Sequence, residues 1–250
     1  MSMQPFELTG ADGKRIKGDR LDGTDRRILF VTGFLSKRWG NKSKMLAQWC
    51  RERGWGFCCY DVRGFGDSEG QFTDYTLSDW IADARAVLGT LQSGPKMTIV
   101  GNSLGSWIAW LVAQEFPIVE ELILIAPAFN MMGERARTIS KERLHDWHTA
   151  GWMPWDDDPL HKDWPLTWKW VEESEAYWAK TFDVVRHVKT TILHGLQDTV
   201  ILPEGSKSFA NELLRRNSSF PIDLRLIPGD HRLSSPEHLE QFRRLIMREA

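Results

Sequence analysis

The stretch IVGNSLGSW, residues 99–107, joins an apolar run to a run of helix formers that extends to Phe116. Ser103 stands in it between Gly101 and Gly105. We therefore expect a sharp turn between a strand and a helix, in which the two glycines leave room for an exposed serine hydroxyl above the sheet. The pattern G-x-S-x-G also occurs in ordinary glycine-rich turns, so the rest of the chain must decide whether Ser103 is a nucleophile.

Short apolar runs alternate with helical patterns along most of the chain. We predict strands at 26–34, 56–62, 97–101, 121–127, 190–195 and 222–229. We predict helices at about 41–53, 76–92, 104–115, 204–216 and 236–248, and an edge hairpin within the first 25 residues. This alternation indicates an α/β fold with a mostly parallel central sheet and helices on both faces, where ligands bind at the carboxyl ends of the strands.

Residues 130–189 interrupt the alternation, with short helical patterns and no predicted strand. The segment is too long for a plain connection. We predict a helical cap at 130–189, inserted between two parts of the core at 1–129 and 190–250. Seven of the 13 tryptophans cluster here: Trp147, Trp152, Trp155, Trp164, Trp168, Trp170 and Trp178. They could pack the cap onto the core or line an acyl or aryl pocket; the pocket candidates are Trp107, Trp152 and Trp155.

Bulk composition excludes several classes of protein. The formal net charge is -2 and charges of both signs are mixed along the chain, which argues against nucleic-acid binding. We see neither a secretory leader pattern nor a run of about 20 apolar residues, and we expect a soluble, cytoplasmic chain. The three cysteines have no disulfide or metal spacing, so we predict buried thiols in a reducing compartment. We also predict no metal and no cofactor. Asp156–Asp158 could attract a cation, but we interpret these residues as a solvated turn.

A nucleophilic serine needs a base and a third group that orients the base, in the chain order Ser, Asp or Glu, His. Asp198 follows the strand at 190–195, and His231 follows the strand at 222–229. Both residues therefore stand where a base and the acid that orients it are required. We interpret Asp230 as a turn former and expect His194 to pack under the loop that carries Asp198.

Glu134 is the alternative to Asp198 as the residue that orients the base, but it does not lie at a strand end. A tetrahedral intermediate also needs hydrogen-bond donors for its oxyanion, which are commonly backbone N–H groups from the residue after the nucleophile and from the loop after an early strand. These donors would be Leu104 and Phe34.

Five segments, VTGFLS, DVRGFGDSEG, GNSLGSW, LHGLQDTVI and GDHRL, occur in this order. Together they resemble the α/β-hydrolase superfamily, and in particular the branch of abhydrolase domain-containing protein ten, which includes a mitochondrial palmitoyl-protein thioesterase that also cleaves acyl glucuronides. The resemblance covers about residues 26–116 and 190–248. It implies that Ser103 is the nucleophile, His231 the general base and acid, and Asp198 the residue that orients His231.

Two details of the resemblance concern loops beside the site. Many superfamily members have His-Gly where this chain has Thr32-Gly33. The segment DVRGFGDSEG is a recurrent turn of the superfamily, in which we expect Arg63 and Asp67 to tie the loop near the site.

The leading functional hypothesis is a serine hydrolase that cleaves carboxylic esters or thioesters with an apolar acyl group through an acyl-enzyme. Serine at position 103 disfavours the dehalogenase and epoxide hydrolase branches, in which a carboxylate attacks carbon. An aminopeptidase-like amide hydrolase is an alternative, with Glu172, Glu173 and Glu175 available for a substrate ammonium. The third hypothesis is a non-catalytic binding protein. We expect a small ester or an acyl protein as substrate, no nucleic acid, no stable membrane insertion, and a monomer or small homo-oligomer.

Overall fold

The computed structural model describes residues 2–155, 162, 164–184 and 186–247. The strands are β1 (Gln4–Thr9), β2 (Arg15–Leu21), β3 (Arg27–Val31), β4 (Gly56–Tyr60), β5 (Met97–Asn102), β6 (Val119–Ile125), β7 (Trp152–Pro154), β8 (Pro165–Thr167), β9 (Lys189–Gly195) and β10 (Ile222–Ile227). The helices are α1 (Asn41–Arg53), α2 (Leu77–Gly89), α3 (Leu104–Ala113), α4 (Met131–Thr138), α5 (Lys141–Ala150), α6 (Trp168–Lys180), α7 (Pro203–Arg216) and α8 (Pro236–Met247).

Eight strands form one sheet in the order β1-β2-β4-β3-β5-β6-β9-β10. The last six strands in this order, β4, β3, β5, β6, β9 and β10, run parallel to one another. In contrast, β2 is antiparallel to both β1 and β4. The predicted mostly parallel α/β sheet is therefore confirmed, and so is the edge hairpin at the start of the chain. The parallel strands all end at one edge of the sheet, where β5, β9 and β10 lead into the loops of the candidate site.

Apolar side chains cover both faces of the sheet. On β3, Leu29 and Val31 pack in a cluster that includes α2, α3 and α7, while Ile28 and Phe30 pack in a second cluster with α1 and α8. Because a parallel strand is covered by helices on both faces, its sequence becomes a continuous apolar run. This is why the central strands could be recognised in the sequence.

The three cysteines are free thiols buried in this core. Cys58 and Cys59 lie next to each other on β4 and point to opposite faces of the sheet, and Cys50 lies on α1. Burial raises the pKa of Cys50 and of Cys58 to about 12. The thiols therefore stay protonated at neutral pH, as expected for structural cysteines.

The segment 130–189 contains α4, α5 and α6, and it also contains two strands. The expectation that it holds no strand was wrong: β7 and β8 pair antiparallel, with Met153 opposite Leu166. Three residues are too few to show the alternation that reveals a strand in a sequence. Trp147 and Trp170 are buried in the same cluster as α2 and α3. The predicted turn at 156–158 lies outside the described residues.

Candidate active site

Ser103 occupies a tight turn between β5 and α3. Its backbone has φ 53° and ψ -122°, a conformation that a residue with a side chain rarely adopts. A Cβ on Gly101 would lie 2.4 Å from Cα of Ser106, and a Cβ on Gly105 would lie 2.3 Å from the carbonyl oxygen of Thr32. Both glycines are therefore required by the close approach of backbone to backbone.

His231 lies between Ser103 and Asp198. Its Nε2 is 3.1 Å from Oγ of Ser103, and its Nδ1 is 2.7 Å from Oδ2 of Asp198. The three residues follow β5, β9 and β10, so the common edge of the parallel strands brings them together although 128 residues separate Ser103 from His231. The arrangement allows the serine hydroxyl to donate to an imidazole that is oriented by a carboxylate.

The carboxylate of Asp198 accepts four hydrogen bonds. Oδ1 accepts from the backbone N–H of Val200 and of Ile201, each at 2.9 Å. Oδ2 accepts from His231 and, at 3.0 Å, from Nε2 of His194. Burial by itself would raise the pKa of Asp198, but the hydrogen bonds from His194, His231 and the backbone outweigh it and hold this pKa well below its usual range. The carboxylate is therefore ionised at neutral pH.

Two backbone N–H groups lie beside the nucleophile. Leu104 directly follows Ser103 at the start of α3. Phe34 directly follows Gly33, on which a Cβ would lie 3.1 Å from Cβ of Ser103. Within the part of the chain that the structure describes, neither the N–H of Leu104 nor that of Phe34 donates to a protein acceptor. Both donors are therefore available for an oxygen that develops negative charge next to Ser103.

An aromatic cluster surrounds the side chain of Phe34. Its ring centroid lies 5.2 to 6.0 Å from those of five other rings, which belong to Phe65, Phe72, Trp80, Trp155 and Trp170. Three of these rings come from the residues before β5, and two come from the segment 130–189. The loop that carries the Phe34 N–H is therefore held from both sides by aromatic packing.

The three pocket candidates have different surroundings. Trp155 packs against Phe34 and is thus adjacent to the loop beside Ser103. Trp152 is 52% exposed on β7. Trp107 has no exposed surface, and its indole N–H donates to Oγ1 of Thr181 at 3.0 Å. In this structure Trp107 therefore connects α3 to the end of α6, whereas Trp155 has the placement of a residue that can meet substrate.

Arg38 ties the loop of Phe34 to the segment DVRGFGDSEG. Its guanidinium forms ion pairs with Asp19, Asp61 and Asp67, and its backbone N–H donates to Oδ1 of Asp61 at 2.5 Å. The predicted tie through Asp67 is present, but its partner Arg38 was not foreseen. Arg63 instead forms a buried ion pair with Asp83 and a second ion pair with the partly exposed Asp12. No local sequence pattern pairs Arg38 with carboxylates that lie 19 to 29 residues away.

The loop that carries His231 has two supports. Oδ1 of Asp230 accepts from the backbone N–H of Arg232 and of Leu233, each at 3.1 Å, which is the predicted role of a turn former. Nζ of Lys42 on α1 donates to the carbonyl oxygen of Arg232. Burial lowers the pKa of Lys42 to about 8. Lys42 was not recognised from the sequence, because nothing near it indicates a contact with a loop so far along the chain.

The other carboxylates considered from the sequence as site residues lie on α4 and α6. Glu134 pairs with Arg137 one turn away on α4. Glu175 pairs with Arg137 as well, and Glu173 accepts from the backbone N–H of Ser78 at 2.8 Å. Glu172 is exposed on α6. Glu173 and Glu175 therefore already have protein partners.

A family model described as serine aminopeptidase, S33 matches residues 24–154, slightly more than half of the chain. The chain belongs to this family. It is also similar to the human mitochondrial palmitoyl-protein thioesterase ABHD10, with 26% identity over 220 residues that cover 86% of this chain and 69% of the relative.

Solved structures show the same fold over the whole chain. A putative hydrolase from Agrobacterium vitis S4 has a TM-score of 0.88 at 23% identity, with 99% of each chain covered. Mouse ABHD10 has a TM-score of 0.81 at 22% identity, with 99% of this chain and 100% of that chain covered. The expected resemblance to the α/β-hydrolase superfamily and to ABHD10 is therefore confirmed, as is the fold that it implies.

Proposed function

We propose that this protein is a serine hydrolase that cleaves carboxylic esters or thioesters with an apolar acyl group. The observation that carries the proposal is the hydrogen-bonded series Ser103, His231 and Asp198 beside the two free N–H groups of Phe34 and Leu104. Membership of a serine hydrolase family and similarity to a palmitoyl-protein thioesterase support it.

The proposed reaction begins with attack of Oγ of Ser103 on the acyl carbonyl carbon, while Nε2 of His231 takes the hydroxyl proton. The imidazolium is stabilised by the ionised Asp198, and the oxyanion accepts from the N–H groups of Phe34 and Leu104. Collapse of the intermediate breaks the C–O or C–S bond as His231 returns the proton to the leaving group. Water then attacks the acyl-enzyme, with His231 again as base, and releases the acid and free Ser103.

Aromatic packing supports an apolar acyl group as substrate. Phe34 and Trp155 bring aromatic surface next to the proposed oxyanion site. A long acyl chain gains free energy from contact with such surface, by about 25 cal/mol for each Å² removed from water. We further propose that residues 130–189 act as a cap on a core made of 1–129 and 190–250, which would make Trp155 a residue that the cap contributes to the substrate site.

The test is hydrolysis of p-nitrophenyl esters from acetyl to palmitoyl, a palmitoyl thioester and an aminoacyl anilide, by the wild type and by Ser103→Ala. We expect Ser103-dependent turnover that increases with acyl length. Cleavage of the anilide alone would instead identify an amide hydrolase, the other activity that the family name suggests, although Glu173 and Glu175 are already paired with protein groups. A lack of turnover and of fluorophosphonate labelling in the folded protein would favour the non-catalytic alternative.

The remaining expectations concern the surroundings of the protein. Among the described residues, no helix has both the length and the apolar character needed to cross a bilayer. The ABHD10 relatives are named as mitochondrial, whereas we predicted a cytoplasmic chain, so imaging of the tagged protein in its own cell is the measurement that decides. A small ester or an acyl protein as substrate, and a monomer or small homo-oligomer, stay predictions that the assay above and sedimentation test.

A further inference from the structure

His194 is a fully buried histidine that contacts the same carboxylate oxygen of Asp198 as His231 does. It is the penultimate residue of β9, four residues before Asp198, and its side chain has no exposed surface. Its Nε2 lies 3.0 Å from Oδ2 of Asp198 and 2.9 Å from the carbonyl oxygen of Ile201. Its Nδ1 lies 2.7 Å from Oγ of Ser206, a buried serine in α7. Every ring nitrogen of His194 therefore has a partner.

These partners determine which nitrogen of His194 carries the proton. The carbonyl oxygen of Ile201 and the ionised carboxylate of Asp198 can only accept, so Nε2 must be the donor. Nδ1 then accepts from the hydroxyl of Ser206, which can donate as well as accept. A neutral imidazole in this tautomer satisfies all of its hydrogen bonds without bringing a charge into the core.

We propose that His194 is a positioning residue for Asp198, and through Asp198 for His231, with its tautomer fixed by Ser206. The inference rests on the proposed function of Ser103, His231 and Asp198. Oδ2 of Asp198 receives two imidazole N–H groups, and the one from His194 prevents the carboxyl group from rotating away from His231. A misplacement of about 1 Å in such a group can reduce a rate a hundredfold.

The second imidazole also affects the electrostatics of the site. Each donor to Oδ2 withdraws charge from the oxygen that stabilises the imidazolium of His231. Removal of the donor from His194 leaves more negative charge on Oδ2, and the acid limb of the rate at which Ser103 reacts should then move to higher pH. The other charged groups near these rings are Glu204 in the first turn of α7, Asp230 beside His231, and Lys42 on α1. None of these three groups changes in the variants below.

The experiment measures the rate of labelling by a fluorophosphonate, as a function of pH, in full-length variants. The probe reports the nucleophilicity of Ser103 without requiring knowledge of the substrate. We expect His194→Leu to label about tenfold to a hundredfold more slowly than the wild type, with the midpoint of the acid limb moved to higher pH. We expect His194→Gln, whose amide N–H can still donate to Asp198, to recover most of the rate.

Thr190→Val is the matched control, because it removes a buried hydrogen bond from the same strand, between Oγ1 of Thr190 and the carbonyl oxygen of Val188 at 2.8 Å. Position 190 lies about 13 Å along β9 from position 194. We expect this variant to lose stability without a change in labelling rate or midpoint.

Three results would overturn the inference: wild-type labelling and midpoint in folded His194→Leu, equal losses in His194→Leu and His194→Gln, or an equal loss in Thr190→Val. Failure of the proposed function looks different, since the wild type itself would then not label or would label as fast as Ser103→Ala.

A second measurement needs no variant. In the ¹⁵N-labelled wild type, Nε2 of His194 should carry the proton, and its resonance should move when the probe modifies Ser103, because the change in His231 reaches His194 through Asp198. A His194 resonance that is identical before and after labelling would contradict the inference even if His194→Leu did not fold.

Discussion

The turn at Ser103 and the segment 130–189 both adjoin the loop of Gly33 and Phe34 but are held in different ways. In the turn, backbone meets backbone: Gly105 lies so close to the carbonyl oxygens of Val31 and Thr32 that a Cβ would be 2.3 Å from each. In the segment 130–189, side chains make the connections: the indole N–H of Trp170 donates to the carbonyl oxygen of Tyr75 at 3.1 Å. Backbone constraints appear in a sequence as glycines at fixed spacing, whereas contacts between distant side chains leave no local pattern.

The largest expected effect is at the nucleophile. Ser103→Ala should reduce kcat by about a million-fold, because no other group can form the acyl-enzyme, and should leave the melting temperature nearly unchanged. Ser106→Ala is the control on the same turn of helix; it removes a hydrogen bond to the carbonyl oxygen of Ile125 at 3.2 Å and should cost about 1 kcal/mol of stability with little loss of rate. Steady-state kinetics with thermal unfolding measure both effects. Retained activity in Ser103→Ala would refute the proposed role.

Asp198→Asn comes next, with an expected loss of about 10⁴ in kcat. The amide can no longer accept from all four donors, so His231 loses the tautomer that presents Nε2 to Ser103. Kinetics on a p-nitrophenyl ester measure the loss. A rate equal to that of the wild type would show that another carboxylate orients His231.

A pair of glycines tests the difference between the two regions directly. Gly105→Ala should lower the free energy of unfolding by about 3 kcal/mol, because backbone oxygens that cannot move away face the new methyl group. Gly151→Ala in the segment 130–189 should cost only about 1 kcal/mol, because position 151 has φ +75° but no heavy atom within 4 Å of the new Cβ. Urea unfolding measures both values. Equal losses would mean that close backbone approach does not distinguish the two regions.

Trp155→Ala should affect substrates according to their length. We expect a loss of about tenfold in kcat/KM for palmitoyl esters and a smaller loss for acetyl esters, because the indole adjoins Phe34. Trp168→Ala is the control within the same segment, since Trp168 packs on Trp147 instead. A uniform loss for all chain lengths would assign Trp155 to packing.

The smallest expected effect concerns acid stability. Hydrogen bonds hold the pKa of Asp198 below its usual value, so the ionised carboxylate stabilises the folded state above about pH 4 and this contribution disappears as the pH falls further. The wild type should therefore lose stability more steeply between pH 5 and pH 2 than Asp198→Asn, which cannot titrate. Equal slopes in urea unfolding would show that Asp198 has no lowered pKa.

The sequence was most informative where strand ends and turns determine geometry. Ser103, Asp198 and His231 were placed correctly at the ends of β5, β9 and β10, because residues after parallel strands share one edge of the sheet. The helix at 41–53 was also predicted with the bounds that the structure shows.

The parts that escaped prediction depend on contacts between distant side chains. Arg38 pairs with three aspartates that only the folded chain brings together. The ring of His194 likewise contacts Ser206 Oγ, Asp198 Oδ2 and the carbonyl oxygen of Ile201, which meet only in the folded chain. The strands β7 and β8 were missed because three residues show no periodicity. His194 had one signal in the sequence, its position next to the last residue of β9, which predicted that it packs under the loop of Asp198 but did not reveal its hydrogen bond to Asp198.

The burial of Cys50, Cys58 and Cys59 has a practical consequence for studying the segment 130–189. Since these are the only cysteines of the chain and all three are enclosed, a single cysteine introduced at an exposed position such as Trp152 becomes the one site that maleimide dyes or spin labels reach in the native protein. The distance between such a label and a fluorophosphonate dye on Ser103 can then be followed in the native background, without first replacing the endogenous thiols.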